Sequence, residues 1–272
     1  MNRTSSRLFG ASALALAVAA PTLAAAQPHG ARRPSPAAFP AQPADRARVV
    51  VLHLAATERA RPLSVWSSGA GLAPWVTALA YGDWSHADVA PGSQGYVPRV
   101  AGMAPPTAAL LGPNTGAGNL VAGRAYFLVM AQPVAQDRTS TRIEPAAATA
   151  PTDGGAAIRV MGAWPVNRTV DVCVRGAAGE RALAVGLGGR GYFGAPAPRE
   201  PSAQPVPAGV TEVAVHLQQG APCAGPALGR LRAELAAGEG YALFLHGEAE
   251  TSLAAVLCRE SGAGCERVAV AR

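Results

Sequence analysis

Two short runs of sequence decide the fold: RVVVLHL at residues 48–54 and AIRVMGA at residues 157–163. Each run opens a block of short apolar and β-branched segments that are separated by Gly and Pro turns. Within a segment, apolar and polar residues alternate, as in VAVHL at 213–217, which places one face inward and the other toward water. This pattern is typical of antiparallel β-sandwiches. We therefore expect an all-β protein with two tandem, Ig-like sandwiches of about seven strands each.

The two blocks share an order of features that indicates internal duplication. After its opening strand, each block has a short alternating strand, then an apolar strand that enters a Gly-aromatic turn, and finally an apolar strand after a Gly turn. The matched segments are 63–66 with 170–174, 76–84 with 183–193, and 122–129 with 237–245.

Composition sets the expected boundaries. We expect a signal peptide at 1–26, a flexible Pro- and Ala-rich lead-in at 27–45, sandwich 1 at 46–132, a linker at 133–155 and sandwich 2 at 156–272. One segment of sandwich 2 is ambiguous, because the leucines of LGRLRAEL at 228–235 fit a helix as well as a strand.

The first residues predict export. Arg3 and Arg7 precede an apolar stretch at 8–20, and Pro21 and the small residues 24–26 follow it. This arrangement is typical of a cleaved signal peptide, whereas a membrane anchor would need a longer apolar run. No Cys follows that could carry a lipid, and no later segment has the apolar length of a span. We expect a periplasmic protein, with the cell surface or the medium as the alternative.

The charged residues argue against nucleic-acid binding. All 23 basic residues are arginine, and the formal net charge is +6. Two of these arginines lie in the predicted leader, which leaves 21 against 17 acidic residues, a net charge of +4. The arginines do not cluster with aromatic residues as they do in nucleic-acid grooves. Weak attraction to an acidic polysaccharide is compatible with this charge.

Four cysteines, all in the second block, predict disulfides in an oxidising compartment. Cys258 and Cys265 flank the turn-rich stretch 261–264, which makes them the first expected pair and leaves Cys173 with Cys223. A zinc site is the alternative, but the sequence has neither a C-x-x-C step nor a histidine at ligand spacing.

Motifs for catalysis or cofactor binding are incomplete. GLGGRG at 186–191 matches a dinucleotide pattern, but YFGAP follows where a helix would have to begin. Asp83 and His86 have the spacing of an SGNH-type esterase, and Ser85 lies beside them, yet the G-D-S turn of those enzymes is missing. We therefore expect no catalytic residue, no cofactor and no metal, with an esterase that uses Ser85 and His86 as the enzymatic alternative.

Aromatic residues concentrate around the loops of the first block. Exposed aromatic rings stack on sugar faces, so Trp75, Trp84 and Tyr96 are candidate glycan contacts. In the alternative interpretation, Trp66 and Tyr81 belong to the core, and Trp75 and Trp84 cover an edge.

The arrangement as a whole resembles the AlgF-type periplasmic accessory proteins of alginate O-acetylation. The resemblance rests on the duplicated blocks with their R-V-x-V opening, on the path from Trp84-Ser85 to the Pro91-Gly92 step, and on the G-x-x-Tyr step before each last strand. The resemblance covers roughly 46–257. The chain differs from these proteins in its longer loops, its four cysteines and the tail after Leu257. The resemblance implies a non-catalytic partner of other periplasmic subunits that helps to place acetyl groups on a secreted polysaccharide.

A second group looks similar, namely tandem surface β-sandwich modules of unknown function. The segments LHLA at 52–55 and VPAGV at 206–210 echo its motifs, but its Ser-Pro pair and turn tyrosine are missing. This resemblance implies a secreted or cell-surface binding or adhesion module with no assigned ligand.

Overall fold

The computed structural model describes residues 38–56, 60–68, 73–103, 116–131, 140–147, 153–163, 168–177, 179–188, 202–248 and 252–271. The predicted signal peptide and residues 27–37 lie outside this part of the chain. The described residues form four β-sheets and contain no α-helix, which confirms the all-β prediction.

The described part of the first half forms two four-stranded sheets. Inner sheet 1 has the order β4-β1-β7-β8, and outer sheet 1 has the order β3-β2-β5-β6. The strands are β1 (Ala47–Leu54), β2 (Leu63–Ser67), β3 (Pro74–Leu79), β4 (Trp84–Val89), β5 (Gly92–Val100), β6 (Gly116–Leu120), β7 (Ala125–Ala131) and β8 (Ser140–Pro145).

The described part of the second half forms two five-stranded sheets. Inner sheet 2 has the order β12-β9-β15-β16-β17, and outer sheet 2 has the order β11-β10-β13-β14-β18. The strands are β9 (Ala156–Gly162), β10 (Thr169–Gly176), β11 (Gly179–Gly188), β12 (Gln204–Val206), β13 (Gly209–Leu217), β14 (Ala227–Leu235), β15 (Gly240–His246), β16 (Ala254–Arg259), β17 (Cys265–Val268) and β18 (Val270–Ala271).

The strand orders repeat the duplication seen in the sequence. Adding eight to each strand number of the first half gives the order in the second half, with β17 and β18 as additions at sheet edges. Both inner sheets contain one parallel pair, β1 with β7 and β9 with β15, in otherwise antiparallel sheets.

Tyr126 on β7 and Tyr241 on β15 occupy equivalent positions in the two halves. Each hydroxyl accepts a hydrogen bond from the backbone N–H five residues earlier, at 2.8 Å and 2.9 Å.

The central strands of the inner sheets are apolar on both faces because both faces are covered. β1 and β7 are buried at every position. One face of inner sheet 1 packs on outer sheet 1, and the other packs on inner sheet 2. By contrast, the burial of β14 in outer sheet 2 alternates along the strand. Continuous apolar runs therefore mark the interior strands, and alternating runs mark the outer ones.

The two inner sheets meet in an apolar layer that we call the central interface. The rings of Phe127 and Phe244 cross it edge to face, with centroids 5.3 Å apart. Other members include Val50, Leu52 and Val129 from inner sheet 1 and Met161, Val256 and Cys258 from inner sheet 2. The described residues thus form a stack in the order outer sheet 1, inner sheet 1, inner sheet 2, outer sheet 2.

Two buried arginines lie at the central interface, each neutralised by a carboxylate. Arg48 donates to both carboxylate oxygens of Asp88, at 2.8 Å and 2.9 Å, and to the carbonyl of Pro40 at 2.6 Å. The charge of Arg48 and its hydrogen bonds lower the pKa of Asp88.

The second arginine connects the two halves. Arg159 donates to the carboxylate of Glu260 at 2.9 Å and 3.1 Å and to the carbonyl of Pro145, in the first half, at 3.1 Å. The backbone N–H of Ala147 donates to the same carboxylate at 2.8 Å. A buried ion pair is tolerated only when its remaining hydrogen-bonding groups are satisfied, and here the first half of the chain contributes to that.

The structure corrects two expectations about organisation and resolves one ambiguity. The segment expected to be a linker, 133–155, includes β8. This strand pairs with β7 at the edge of inner sheet 1, and its Ile143 packs on the first core. The ambiguous leucine segment, 228–235, is strand β14. Of the expected flexible lead-in, 38–45 belongs to the fold: the N–H of Phe39 donates to the carbonyl of Ala263 at 2.8 Å, and its ring packs on the central interface.

Both disulfides have the expected pairing. Cys258 and Cys265 lie directly opposite each other on β16 and β17, inside the central interface. Cys173, on β10, bonds to Cys223 in the loop that follows β13. The first disulfide holds the edge strand β17 in place, and the second holds a loop against outer sheet 2.

Candidate binding surfaces

The structure places Tyr96 in the core, so the prediction that it contacts glycan is wrong. Its side chain is 2% exposed and lies on the inward face of β5. Burial raises the pKa of the hydroxyl. Tyr96 therefore has no ring face to offer to a sugar.

Trp75 and Trp84 are half-buried, and each is partly engaged. Trp75 packs on the first core, with its ring centroid 5.8 Å from that of Tyr96. Trp84 packs on the central interface, and the guanidinium carbon of Arg267 lies 5.7 Å from its ring centroid. Arg267 also forms an ion pair with Asp83. One face of Trp84 is thus covered by Arg267, and the ring of Trp75 lies against the first core.

Ser85 and His86 do not form a nucleophile–base pair. They are adjacent on β4, so their side chains point to opposite faces. The ring of His86 stacks on Phe39 at the central interface, with centroids 4.3 Å apart. Burial lowers the pKa of His86. The geometry needed for an SGNH-type esterase is therefore not present at these two residues.

Trp66 is a candidate that the sequence interpretation missed: it was not among the expected glycan contacts, and the alternative interpretation placed it in the core. Leu63 and Val65 of β2 point into the first core, so Trp66 points to the opposite, outer face of outer sheet 1. There it lies between Pro74 on β3 and Val97 on β5, its register partners. The alternation of residues in LSVWS at 63–67 already indicated that Trp66 faces away from the core.

A polar row lies beside this apolar row on the same face. Ser64 and Arg99 are register partners one row along from Trp66 and Val97. Ser64 itself is buried, and its hydroxyl accepts a hydrogen bond from the backbone N–H of Ala78 at 3.1 Å. The outer face of outer sheet 1 thus places a half-buried indole next to the guanidinium of Arg99. We call the residues Trp66, Val97 and Arg99 the Trp66 surface.

The matching face of outer sheet 2 is partly covered by the loop at 218–226. The buried carboxylate of Asp171 accepts hydrogen bonds from the N–H groups of Gly186 and Cys223, at 3.0 Å and 3.2 Å. The Nδ1 of buried His216 donates to the carbonyl of Gly225 at 2.7 Å, and its Nε2 lies 2.9 Å from Glu180. Together with the Cys173–Cys223 disulfide, these bonds fix the loop on the sheet.

A cleft of about 350 Å³ opens between the two sheets of the second half. Leu235, Tyr241 and Leu257 line it, as do the charged side chains Glu234, Arg259 and Glu266. Burial raises the pKa of Glu266, the nearby charge of Arg259 opposes this, and Glu234 adds to it. No group of three His, Cys, Asp or Glu side chains within the described ranges is arranged to hold a metal ion.

A third feature joins the halves at one end of the central interface. The ring of Tyr81 contacts His53 and His246 edge to face, with centroids 5.9 Å and 5.6 Å away, and its hydroxyl lies 3.3 Å from Nδ1 of His246. Burial lowers the pKa of His246 to about 4. His246 is therefore neutral near pH 7 and contributes to packing rather than to charge.

No protein-family model matches the chain, and no curated protein matches it at a significant level. None of the segments that the structure describes is a helix with the length and apolar character of a bilayer span. The two disulfides indicate that the protein folds in an oxidising compartment outside the cytoplasm.

Proposed function

We propose that the chain is an exported accessory protein of exopolysaccharide O-acetylation, of the alginate type, that contacts the acidic polymer without catalysing a reaction. In this proposal the acetyl transfer itself is carried out by other periplasmic subunits. The predicted signal peptide and the arrangement shared with AlgF-type proteins support the proposal, and the disulfides agree with a periplasmic location.

The observation that carries the proposal is the Trp66 surface. An indole on a sheet face can stack on the apolar face of a sugar ring, and a neighbouring guanidinium can donate hydrogen bonds to carboxylate and hydroxyl oxygens. Trp66 and Arg99 supply these two groups on one face. A uronic-acid polymer presents the complementary groups along its length.

The test is the acetyl content of the polysaccharide secreted by a strain in which the gene is deleted. We expect the acetyl content to fall, to be restored by the intact gene and not by a Trp66→Ala gene whose product accumulates to the same level. A matched Trp75→Ala gene should restore it. Unchanged acetylation in the deletion strain would contradict the proposal.

The cleft in the second half favours one alternative, a secreted or cell-surface module that binds a small ligand. A cavity of about 350 Å³ is within the size range of small-molecule sites. This alternative expects the protein in the medium or on the outer surface. Fractionation separates the two functions, since the accessory role requires the protein in the periplasm.

A further inference from the structure

The two disulfides lie in surroundings that differ in access. Both cysteines of the Cys258–Cys265 pair are buried, at 0% and 5% exposure, and they lie within the central interface. In the Cys173–Cys223 pair, Cys173 is also buried, but Cys223 is half-buried in a loop whose neighbouring residues on both sides are exposed. A thiolate can open a disulfide only by reaching one of its sulfur atoms. Access therefore favours attack at Cys223.

The middle of the 218–226 loop depends on this disulfide, whereas its ends do not. At one end the N–H of Gln218 donates to a carbonyl of β10 at 2.9 Å, and at the other the carbonyl of Gly225 accepts from His216. Within the described part of the chain, two bonds join residues 219–224 to the sheet. They are the disulfide and the hydrogen bond from the N–H of Cys223. The middle of the loop can therefore detach while its ends and the sheet stay in place.

Two features of the closed loop favour its release once the disulfide opens. Cys223 has a φ of +66°, in the left-handed region that is unfavourable for a residue with a Cβ atom. The fully buried carboxylate of Asp171 accepts from the N–H groups of Cys223 and Gly186. Burying a charge without hydrogen-bond partners is unfavourable. When Cys223 leaves, Asp171 needs water in its place, and water reaches it only if residues 219–224 move off the sheet.

We propose that the Cys173–Cys223 disulfide is a redox switch, which a dithiol reductant opens to release residues 219–224 from outer sheet 2 while Cys258–Cys265 stays closed. One thiolate of the reductant bonds to Sγ of Cys223, the S–S bond breaks, and Cys173 leaves as a thiolate that takes up a proton. The second thiolate of the reductant then attacks the reductant's own sulfur in the mixed disulfide. This step frees Cys223 as a thiol and leaves the reductant as an internal disulfide, so two electrons and two protons pass to the protein.

The switch requires only a dithiol in the compartment where the protein folds. It lies on the other half of the chain from the Trp66 surface and does not rest on the proposed function.

The first test is the rate at which dithiothreitol reduces each disulfide in the purified, folded protein. Samples are quenched with N-ethylmaleimide at successive times, and mass spectrometry of peptides identifies the modified cysteines. We expect Cys173 and Cys223 to be modified at least about tenfold faster than the other two cysteines, because a buried pair reacts only when the central interface opens. Equal rates, the reverse order, or reduction that occurs only in denaturant would overturn the proposal.

The second test is amide hydrogen exchange before and after this selective reduction. We expect exchange in peptides that cover residues 219–224 to become at least about tenfold faster, and exchange in the central strands of the sheet to stay as it was. The double variant Cys173→Ser/Cys223→Ser should show the fast exchange without any reductant.

The matched control is the double variant Cys258→Ser/Cys265→Ser, which keeps the switch and should show slow exchange in the loop until it is reduced. If the open variant does not fold, the selectively alkylated wild type from the first test takes its place. Unchanged exchange at 219–224 after reduction, or faster exchange throughout the sheet, would contradict a switch confined to this loop.

Discussion

Outer sheet 1 and outer sheet 2 occupy the same place in a duplicated fold, but they present different surfaces. Outer sheet 2 has part of its face covered by the 218–226 loop, which the Cys173–Cys223 disulfide and buried Asp171 hold in place. Outer sheet 1 has Trp66 and Arg99 on the equivalent face. The inner sheets, in contrast, share one apolar interface.

This difference shows where a duplicated sandwich is free to diverge. Residues of the central interface have partners in both halves, so a change in one half affects packing in the other. The described residues of the outer faces do not belong to this interface, so each outer face can acquire its own role. We infer that the inner sheets are constrained by stability and that the outer faces hold the differences in function.

The largest effect is expected at the buried ion pair of the central interface. Glu260→Gln leaves the charge of Arg159 buried and uncompensated, which costs up to about 5 kcal/mol of unfolding free energy. Glu212→Gln, which removes a partly exposed partner of Arg230, should cost much less, because ion pairs at the surface contribute little. Urea denaturation of both variants measures the contrast, and equal costs would contradict the distinction between interior and outer faces.

The disulfide that closes outer sheet 2 should contribute more to stability than the one in the central interface. It closes a loop with a sequence separation of 50, against 7 for Cys258–Cys265. Loop-closure entropy then gives about 4 kcal/mol for the first and about 2 kcal/mol for the second. Double Cys→Ser variants of each pair, compared by chemical denaturation, measure the difference. The reverse order would show that packing at the interface, and not loop entropy, dominates.

Acid should weaken the contact between the halves at His246. Its pKa is about 4 in the folded protein and about 6.5 when unfolded. The unfolded chain binds the proton first, so stability falls as pH decreases from about 6.5 to about 4, by about 3 kcal/mol at most. His246→Gln should flatten this part of the stability curve relative to the wild type. Parallel curves for the two proteins would contradict the assignment.

Much of this fold is predictable from sequence, and what is not has identifiable physical reasons. Period-two alternation and turn residues predict the strands, and the spacing around Cys258 and Cys265 predicts their pairing. The continuous apolar run of β1 indicates a strand that is covered on both faces, and the sequence interpretation did not use it. Which sheet covers the second face could not be predicted, because that contact joins residues far apart in the chain. β8 was missed because an edge strand with one core residue, Ile143, resembles a linker in composition.

Of the candidate sites, too, one was predictable from the sequence and one was not. The phase of Trp66 relative to Leu63 and Val65 was readable from the sequence, and attention to it would have separated Trp66 from the core residue Tyr96. The cleft could not be predicted, because Leu235 of outer sheet 2 comes to lie beside Leu257 and Glu266 of inner sheet 2 only when two sheets pack. Tertiary contacts of this kind leave no local signal in a single sequence.

The most direct test of the Trp66 surface is affinity electrophoresis through a gel that contains alginate. We expect the wild-type protein and the Trp75→Ala variant to be retarded relative to a polymer-free gel, and the Trp66→Ala variant to migrate equally in both gels. Thermal unfolding of all three proteins checks that they are folded. Retardation of Trp66→Ala to the wild-type extent, or no retardation of the wild type, would contradict the assignment of polysaccharide contact to outer sheet 1.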